Sequence, residues 1–231
     1  MVSPVALALF GLLSVSQAAV PRSTILSPDD VIVLAKDGSS QVMKAAEFEA
    51  LEAAPPLPLN KKQVASSKKA RRCEKSTEVQ VTSDKEFLDW DVAISPVVSS
   101  TGGKATVSVS SGYSISNSVS VGGSYGVSIE SILSLSISVD YTESWSSSQE
   151  QSLTFEVPDG QHGVIVSQPY VRRVEGNILS GCTDSPDKEG FVSNSYSSRS
   201  FGNLNWVDGL LRLCNSTTYP IPYCNGDGAH K

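Results

Sequence analysis

The chain has 231 residues, 39% hydrophobic and 18% charged, with a net charge of −6, enough for one or two domains with a packed core. The charge is unevenly spread: residues 1–72 hold 9 Lys/Arg against 6 Asp/Glu, and residues 73–231 hold 9 against 18. The acidic larger part excludes nucleic acid as a partner, since such binding relies on basic patches, and excludes simple electrostatic attraction to anionic lipid.

The first 20 residues, MVSPVALALFGLLSVSQAAV, carry no charged side chain. An apolar run from Val5 to Val15 followed by Ser16-Gln17-Ala18 reads as a secretory signal peptide over residues 1–18. The run is too short for a membrane-spanning helix, which needs about 20 apolar residues. Next, DVIVLAKDGSSQVM predicts two short strands joined at Lys36-Asp37-Gly38. KAAEFEALEAA predicts a short helix ending before Pro55. The Pro- and Lys-rich stretch PPLPLNKKQVASSKKARR reads as an exposed linker. It ends in Arg71-Arg72, a dibasic pair of the kind cut in secreted proproteins. Residues 19–72 are therefore expected to be a pro-segment, with the mature domain at 73–231.

Four cysteines, Cys73, Cys182, Cys214 and Cys224, imply two disulfides in a secreted chain, with three connectivities open. The turn-rich Tyr219-Pro220-Ile221-Pro222 favours Cys214–Cys224, which leaves Cys73–Cys182. There is no Cys-x-x-Cys and only two histidines, so no zinc site is expected. From Cys73 onward the pattern is strand-like: STEVQVTS, then EFLDWDVAISPVVSS, then two strands around the turn signature Pro158-Asp159-Gly160. NLNWVDGLLRLC suits a short helix or a strand, and no long helix is expected after residue 73.

Between them lies a ribbon, Ala105 to Trp145, that alternates almost without a slip. Sixteen of its 21 odd positions are apolar or aromatic, and Ile132 is the one apolar residue at an even position. Such alternation gives a strand one apolar and one hydroxyl face. The apolar side stays on odd numbers throughout, so any hairpin within it needs an odd-length turn. Glu130-Ser131-Ile132 is the expected turn, pairing Ile129 with Leu133, Val121 with Tyr141 and Ala105 with Val157. Unbroken arms would run roughly 80 Å, so bulges are expected at Gly112 and Gly122-Gly123. The apolar face, with Val119, Val121, Tyr125, Val127, Ile129, Ile132, Leu133, Leu135, Ile137, Val139 and Tyr141, must be buried against the protein's own second sheet, another copy, or lipid. Leaving the ribbon's 16 apolar side chains at odd positions in water forgoes on the order of 24 kcal/mol, more than the roughly 5–15 kcal/mol net stability of a domain. The expected fold is all-β: an elongated antiparallel β-sandwich with a long Ser/Val hairpin, stapled by two disulfides. An uncharged ribbon is an aggregation hazard at an open edge, which the strands of the pro-segment are placed to cover.

Two stretches, SISVDYTESWSSSQEQSLTFEVPDGQHGVIVSQPYVRR and SNSYSSRSFGNLNWVDGLLRLCNSTTYPIPYC, resemble a family of small secreted fungal effector-like proteins, the Celp type. The resemblance covers roughly residues 73–226. It implies secretion and a role in host interaction, and transfers no catalytic residues. The Ser-rich amphipathic ribbon followed by LTFEVPDGQHGVIV is also similar to the hairpins of aerolysin-type pore-forming toxins. That second resemblance implies membrane insertion.

No nucleophile–base arrangement stands out. His162 falls on a turn tip and His230 in the C-terminal tail, expected to be mobile. Glu143 and Glu150 read as solvated charges, and Asp89-Trp90-Asp91 and Asn225-Gly226-Asp227-Gly228 fall short of a Ca²⁺ ligand set. Trp90, Trp206 and Tyr219 are candidates for stacking on sugar, and Asn215-Ser216-Thr217 is a glycosylation sequon. The expectation is a secreted protein without enzymatic activity or cofactor that binds a host protein, glycan or cell surface, with self-association open to it. A pore-forming protein using residues 105–157 and a carbohydrate-binding module are the alternatives.

Overall fold

The computed structural model describes residues 25–52, 75–110, 113–122, 128–147, 153–182, 184–202 and 204–231. The expected signal peptide, Arg71, Arg72, Cys73, Tyr125, Val127, Glu150 and the expected bulge at Gly112 lie outside them. In chain order the N-terminal segment gives β1 (Ile25–Leu26), β2 (Asp30–Leu34), β3 (Ser40–Lys44) and α1 (Ala45–Glu52). Then come β4 (Lys75–Leu88), β5 (Val92–Ala93), β6 (Val98–Ser99), β7 (Ala105–Ser108), β8 (Ser114–Ser116) and β9 (Ser118–Val121). A second helix, α2 (Ser128–Ile137), precedes β10 (Ser144–Ser146), β11 (Thr154–Val157) and the long β12 (His162–Cys182). The chain ends with β13 (Ser185–Ser195), β14 (Ser198–Phe201), β15 (Leu204–Val207), β16 (Gly209–Ser216), β17 (Ile221–Pro222) and β18 (Ala229–His230). Strands dominate, as the composition requires.

The 21-residue β12 organises the molecule; a strand of that length runs on the order of 70 Å if straight. Its first half pairs with β16 on one side and with β5 and β6 on the other. Its second half lies between β13 and β4. Residues 163–169 are buried throughout, because sheet or loop covers both faces there: Ile165 enters the main core, while Val164 and Val166 pack with Cys214 and Ile221. In the second half, β4 carries one residue more than β12 between Glu175 and Gly176. Thr82 is that extra residue, and its hydroxyl donates to the Glu175 carbonyl at 3.0 Å. Gly176 is required beside the bulge: a Cβ would lie 2.3 Å from the Gln80 carbonyl oxygen and 2.8 Å from the Phe191 ring.

The main core joins two sheets. β7 and β11 pair antiparallel, with β1 added parallel to β11. This small sheet supplies Leu26, Val107, Phe155 and Val157; the large sheet supplies Ile32, Leu34, Ile165, Leu211 and Leu213, with Trp206 wholly buried among them. At this end the arrangement is thus two sheets packed on one core. Beyond Tyr170 it gives way to a single sheet, β4-β12-β13-β9, with α2 on one face.

The N-terminal hairpin forms where expected, β2 and β3 in register from Asp30–Lys44 to Leu34–Ser40. It is not a free appendage. β2 extends the large sheet along β16, and Leu26, Val31, Ile32, Leu34 and Phe48 are buried. At about 1.5–3 kcal/mol for each such side chain, these contribute on the order of 10 kcal/mol, as much as a typical domain's net stability.

Of the two expected disulfides, Cys214–Cys224 is described, with Cα atoms 5.8 Å apart. Cys182 is not a free thiol, and Cys73 lies outside the described residues. Of NLNWVDGLLRLC, the described residues from Leu204 on are strand, not helix, and split at Asp208 into β15 and β16.

Candidate functional site

The ribbon is the feature with the most specific sequence signature, and its course is partly as expected. Ala105 stands opposite Val157 and Val107 opposite Phe155, the expected register. Farther along, Ile115 faces Trp145, where an unbroken register requires Ser147. The shift is two residues, so odd still meets odd and the apolar face is kept.

Beyond Ile115 the expected hairpin fails. Val121 does not meet Tyr141. β9 leaves its partner and joins the edge of β13, with Val121 opposite Phe191 and Val119 opposite Ser193. Asn117 makes the switch: its side-chain nitrogen donates to the Asp140 carbonyl at 2.7 Å, and its side-chain oxygen accepts from the Tyr196 amide at 2.8 Å. Both amide groups are satisfied, so a polar residue sits on the apolar face without cost.

The expected turn at Glu130–Ile132 is helix instead, inside α2. Ile129, Leu133 and Ile137 are four apart, which is one helix face as well as one strand face. They are buried with Val139 against Val174, Ile178 and Phe191, and Val119, Val121 and Tyr141 are half-buried around them. Ile132, three residues after Ile129, is half-buried on the flank. Leu135, which a strand would point the same way, is 88% exposed. The even-numbered Ile132 and the acidic Glu130 in the first turn were the sequence signals of a helix.

α2 is held at its C-terminal end. Arg172 grips Asp84 of β4 with two bonds, of 3.0 and 2.8 Å, and donates a third to the Ile137 carbonyl at 3.0 Å. A guanidinium there satisfies an orphan carbonyl and complements the helix dipole. The same guanidinium holds the Asp84 carboxyl below the usual carboxylate range. Tyr141 OH lies 2.7 Å from Ser193 Oγ, and burial pushes its phenol up. Beside this exit is a polar cavity of about 260 Å³ with Glu86, Asp140, Glu143, Arg172, Tyr196 and Asp208 in its wall. Burial pushes the Asp208 carboxyl up; its nearest cation is Arg199, with Nε 3.1 Å away.

A second cluster holds the C-terminus. Asp91, with its carboxylate buried, accepts from Gln168 Nε2 at 2.8 Å, the Cys224 amide at 2.6 Å and the Asn225 amide at 3.1 Å. His230 is 7% exposed, stacked on Tyr223 with Nε2 3.3 Å from the same carboxylate. The expected mobile tail is therefore wrong: β17 and β18 pair and the buried aspartate fixes them. Asp91, Cys214 and His230 lie close enough to hold a metal ion, but Cys214 is in a disulfide and offers no thiolate.

This clamp presents Trp90, 56% exposed. Gly226, at φ +95°, lies against the indole, and a Cβ there would come 2.6 Å from the ring. Trp206 is fully buried and cannot stack on a sugar, a correction to the expectation. Tyr219 is exposed and sits over His162, whose Nδ1 is 2.7 Å from Ser99 Oγ. Among the described residues no carboxylate orients this Ser–His pair as a catalytic triad requires. Asn215 is half-buried in β16 with its amide nitrogen bonded to Gln161 Oε1.

No family model, curated protein or solved structure matches the chain.

Proposed function

We propose that the protein is a secreted, non-enzymatic, membrane-inserting protein, and that the ribbon within residues 105–157 opens at α2 into an amphipathic β-hairpin whose base, β7 and β11, stays in the folded body. The observation that carries this is the conflict between pattern and conformation at α2. Residues 128–137, SIESILSLSI, hold four serines and three β-branched isoleucines, poor helix formers. They continue the period-2 pattern of the flanking strands, yet they are helical because a sheet face covers one side of them. A local preference at odds with the adopted structure marks an element with a second conformation within reach.

Three features support release. The cluster under α2 is separate from the main core, so releasing α2 and β9 leaves Trp206 and its neighbours on β7 and β11 in place. The odd-with-odd register is already set in both described ladders of the ribbon. Continuing the Ile115–Trp145 register sets Val119 against Tyr141 and Val121 against Val139, and centres the turn on Glu130. Finally, in that register Leu133–Tyr141 lies opposite Val119–Val127, nine residues on each side, the length of a transmembrane β-strand.

The test is dye release from liposomes by the full chain, with and without cleavage at Arg72. Release with oligomers that resist detergent is expected; intact vesicles at micromolar protein would end this reading. One observation favours a second reading, a glycan-binding protein: Trp90 is exposed and rigidly backed. If it is right, Trp90→Ala abolishes retention on cell-wall glycans while thermal stability is kept. Retention undiminished in that variant removes it.

A further inference from the structure

We infer that residues 25–52 form a strand donor that stays docked on residues 75–231 when the chain between them is cut, so that the cleaved protein is a two-piece, non-covalent assembly. The described contacts that hold the segment are made by residues 25–52 themselves. β1 pairs with β11 at Ile25–Thr154 and Leu26–Phe155. β2 pairs with β16 over four rungs, from Leu34–Gly209 to Val31–Arg212. Ile32 and Leu34 have no exposed surface and pack in the same cluster as Trp206. Polar contacts close both ends. Arg199 donates to the carbonyls of Ala35 and Lys36, Lys36 pairs with Glu86, and Tyr170 OH donates to Glu52 Oε1 at 2.7 Å.

Loss of the segment strips the body of more than it gains. The β16 edge at residues 209–212 is left with unpaired backbone groups, which are costly wherever water cannot replace the partner. The main core opens where Leu26, Ile32 and Leu34 now close it. While the segment is docked, β11 is flanked on both sides at Thr154 and Phe155, by β1 and β7. No strand of another copy can pair there. Retention after cutting is thus also protection of the ribbon's outgoing strand. The inference concerns the folded body and holds whether or not the ribbon enters a membrane.

The experiment is to cut the full chain at Arg71-Arg72 with a dibasic-specific protease and run the product by native gel filtration at micromolar protein. If the native pair resists, a site-specific recognition sequence replaces residues 66–72. Two fragments on a denaturing gel that co-elute natively, and separate in guanidinium chloride, are expected. In the cut protein, Leu34→Ala is expected to raise the dissociation constant of the labelled N-terminal fragment by on the order of 100-fold. Val42→Ser, on the exposed face of β3, leaves it unchanged. If uncut Leu34→Ala fails to fold, Ile32→Val gives the same comparison with a smaller rise. An N-terminal fragment that elutes by itself overturns the inference, whether the remainder stays soluble or precipitates.

Discussion

At the scale of single residues, three of the five odd positions of the ribbon that are not apolar, Asn117, Ser131 and Glu143, sit where its strand pattern is interrupted. Ser111 and Gly123 border or lie in stretches outside the described residues. Asn117 carries the strand from one partner to another, Ser131 is on the outer face of α2, and Glu143 is in the turn before β10. These defects are legible in the sequence as breaks, but their consequences are not, because Asn117 is decided by partners at Asp140 and Tyr196 that only the fold brings near. Leu135 is the opposite case, an apolar residue that fits the pattern and has no place in the folded core. This makes it a clean probe. Leu135→Ser should shift folding free energy by no more than about 0.5 kcal/mol, as exposed sites do, and yet sharply reduce dye release, because it puts a hydroxyl on the lipid face. Equal loss of stability and activity, or unchanged release, counts against the hairpin.

At the scale of elements, strands and hairpins declared by β-branched alternation and turn residues came out as read: β2–β3, β4, β7–β11 and the turn at Asp159-Gly160. α1 was legible for the complementary reason, a run of Ala and Glu with high helix propensity. α2 was not, since apolar residues four apart satisfy strand and helix alike. Sheet residues Val174, Ile178 and Phe191 tip the balance by offering a surface for the helical face. Ser131 and Ser136 are exposed on that helix, and Ser136 Oγ bonds back to the Ile132 carbonyl at 2.8 Å. Replacing both by Ala should stabilise α2 by about 1 kcal/mol. Slower amide exchange across residues 129–137 and slower membrane insertion are the expected readouts. Faster insertion would mean that α2 does not have to melt.

At the scale of the whole molecule, acid should act on the contact that closes α2. The Asp84 carboxyl is held below its ordinary value by Arg172. A depressed carboxylate contributes stability above its unfolded pKa of about 3.9 and loses it as pH falls through the folded value. Asp208, raised by burial, has the opposite sign. Its ionised form costs stability, and that cost disappears at higher pH than the Asp84 loss begins. Opening of α2, followed by amide exchange of residues 129–137, should therefore accelerate below about pH 4. Asp84→Asn should open at neutral pH as the native chain does in acid. An opening rate that is flat from neutral pH into that range would remove Arg172–Asp84 as the clamp.

The sequence by itself determined that the chain is mostly strand, that the ribbon has one apolar face on odd positions, and that Ala105 meets Val157. Period, turn chemistry and parity are local quantities, and they suffice for these. Only the tertiary structure decided what covers the apolar face. β7 and β11 close on a core shared with β2, β12 and β16, while the middle of the ribbon coils into a helix on the β4-β12-β13-β9 sheet. It also put β2 and β3 at the edge of the main sheet and His230 against a buried aspartate. The physical reason is the same in each case: burial and hydrogen-bond satisfaction depend on residues distant in the chain, such as Tyr170 for Glu52 and His230 for Asp91, and local pattern carries no record of them.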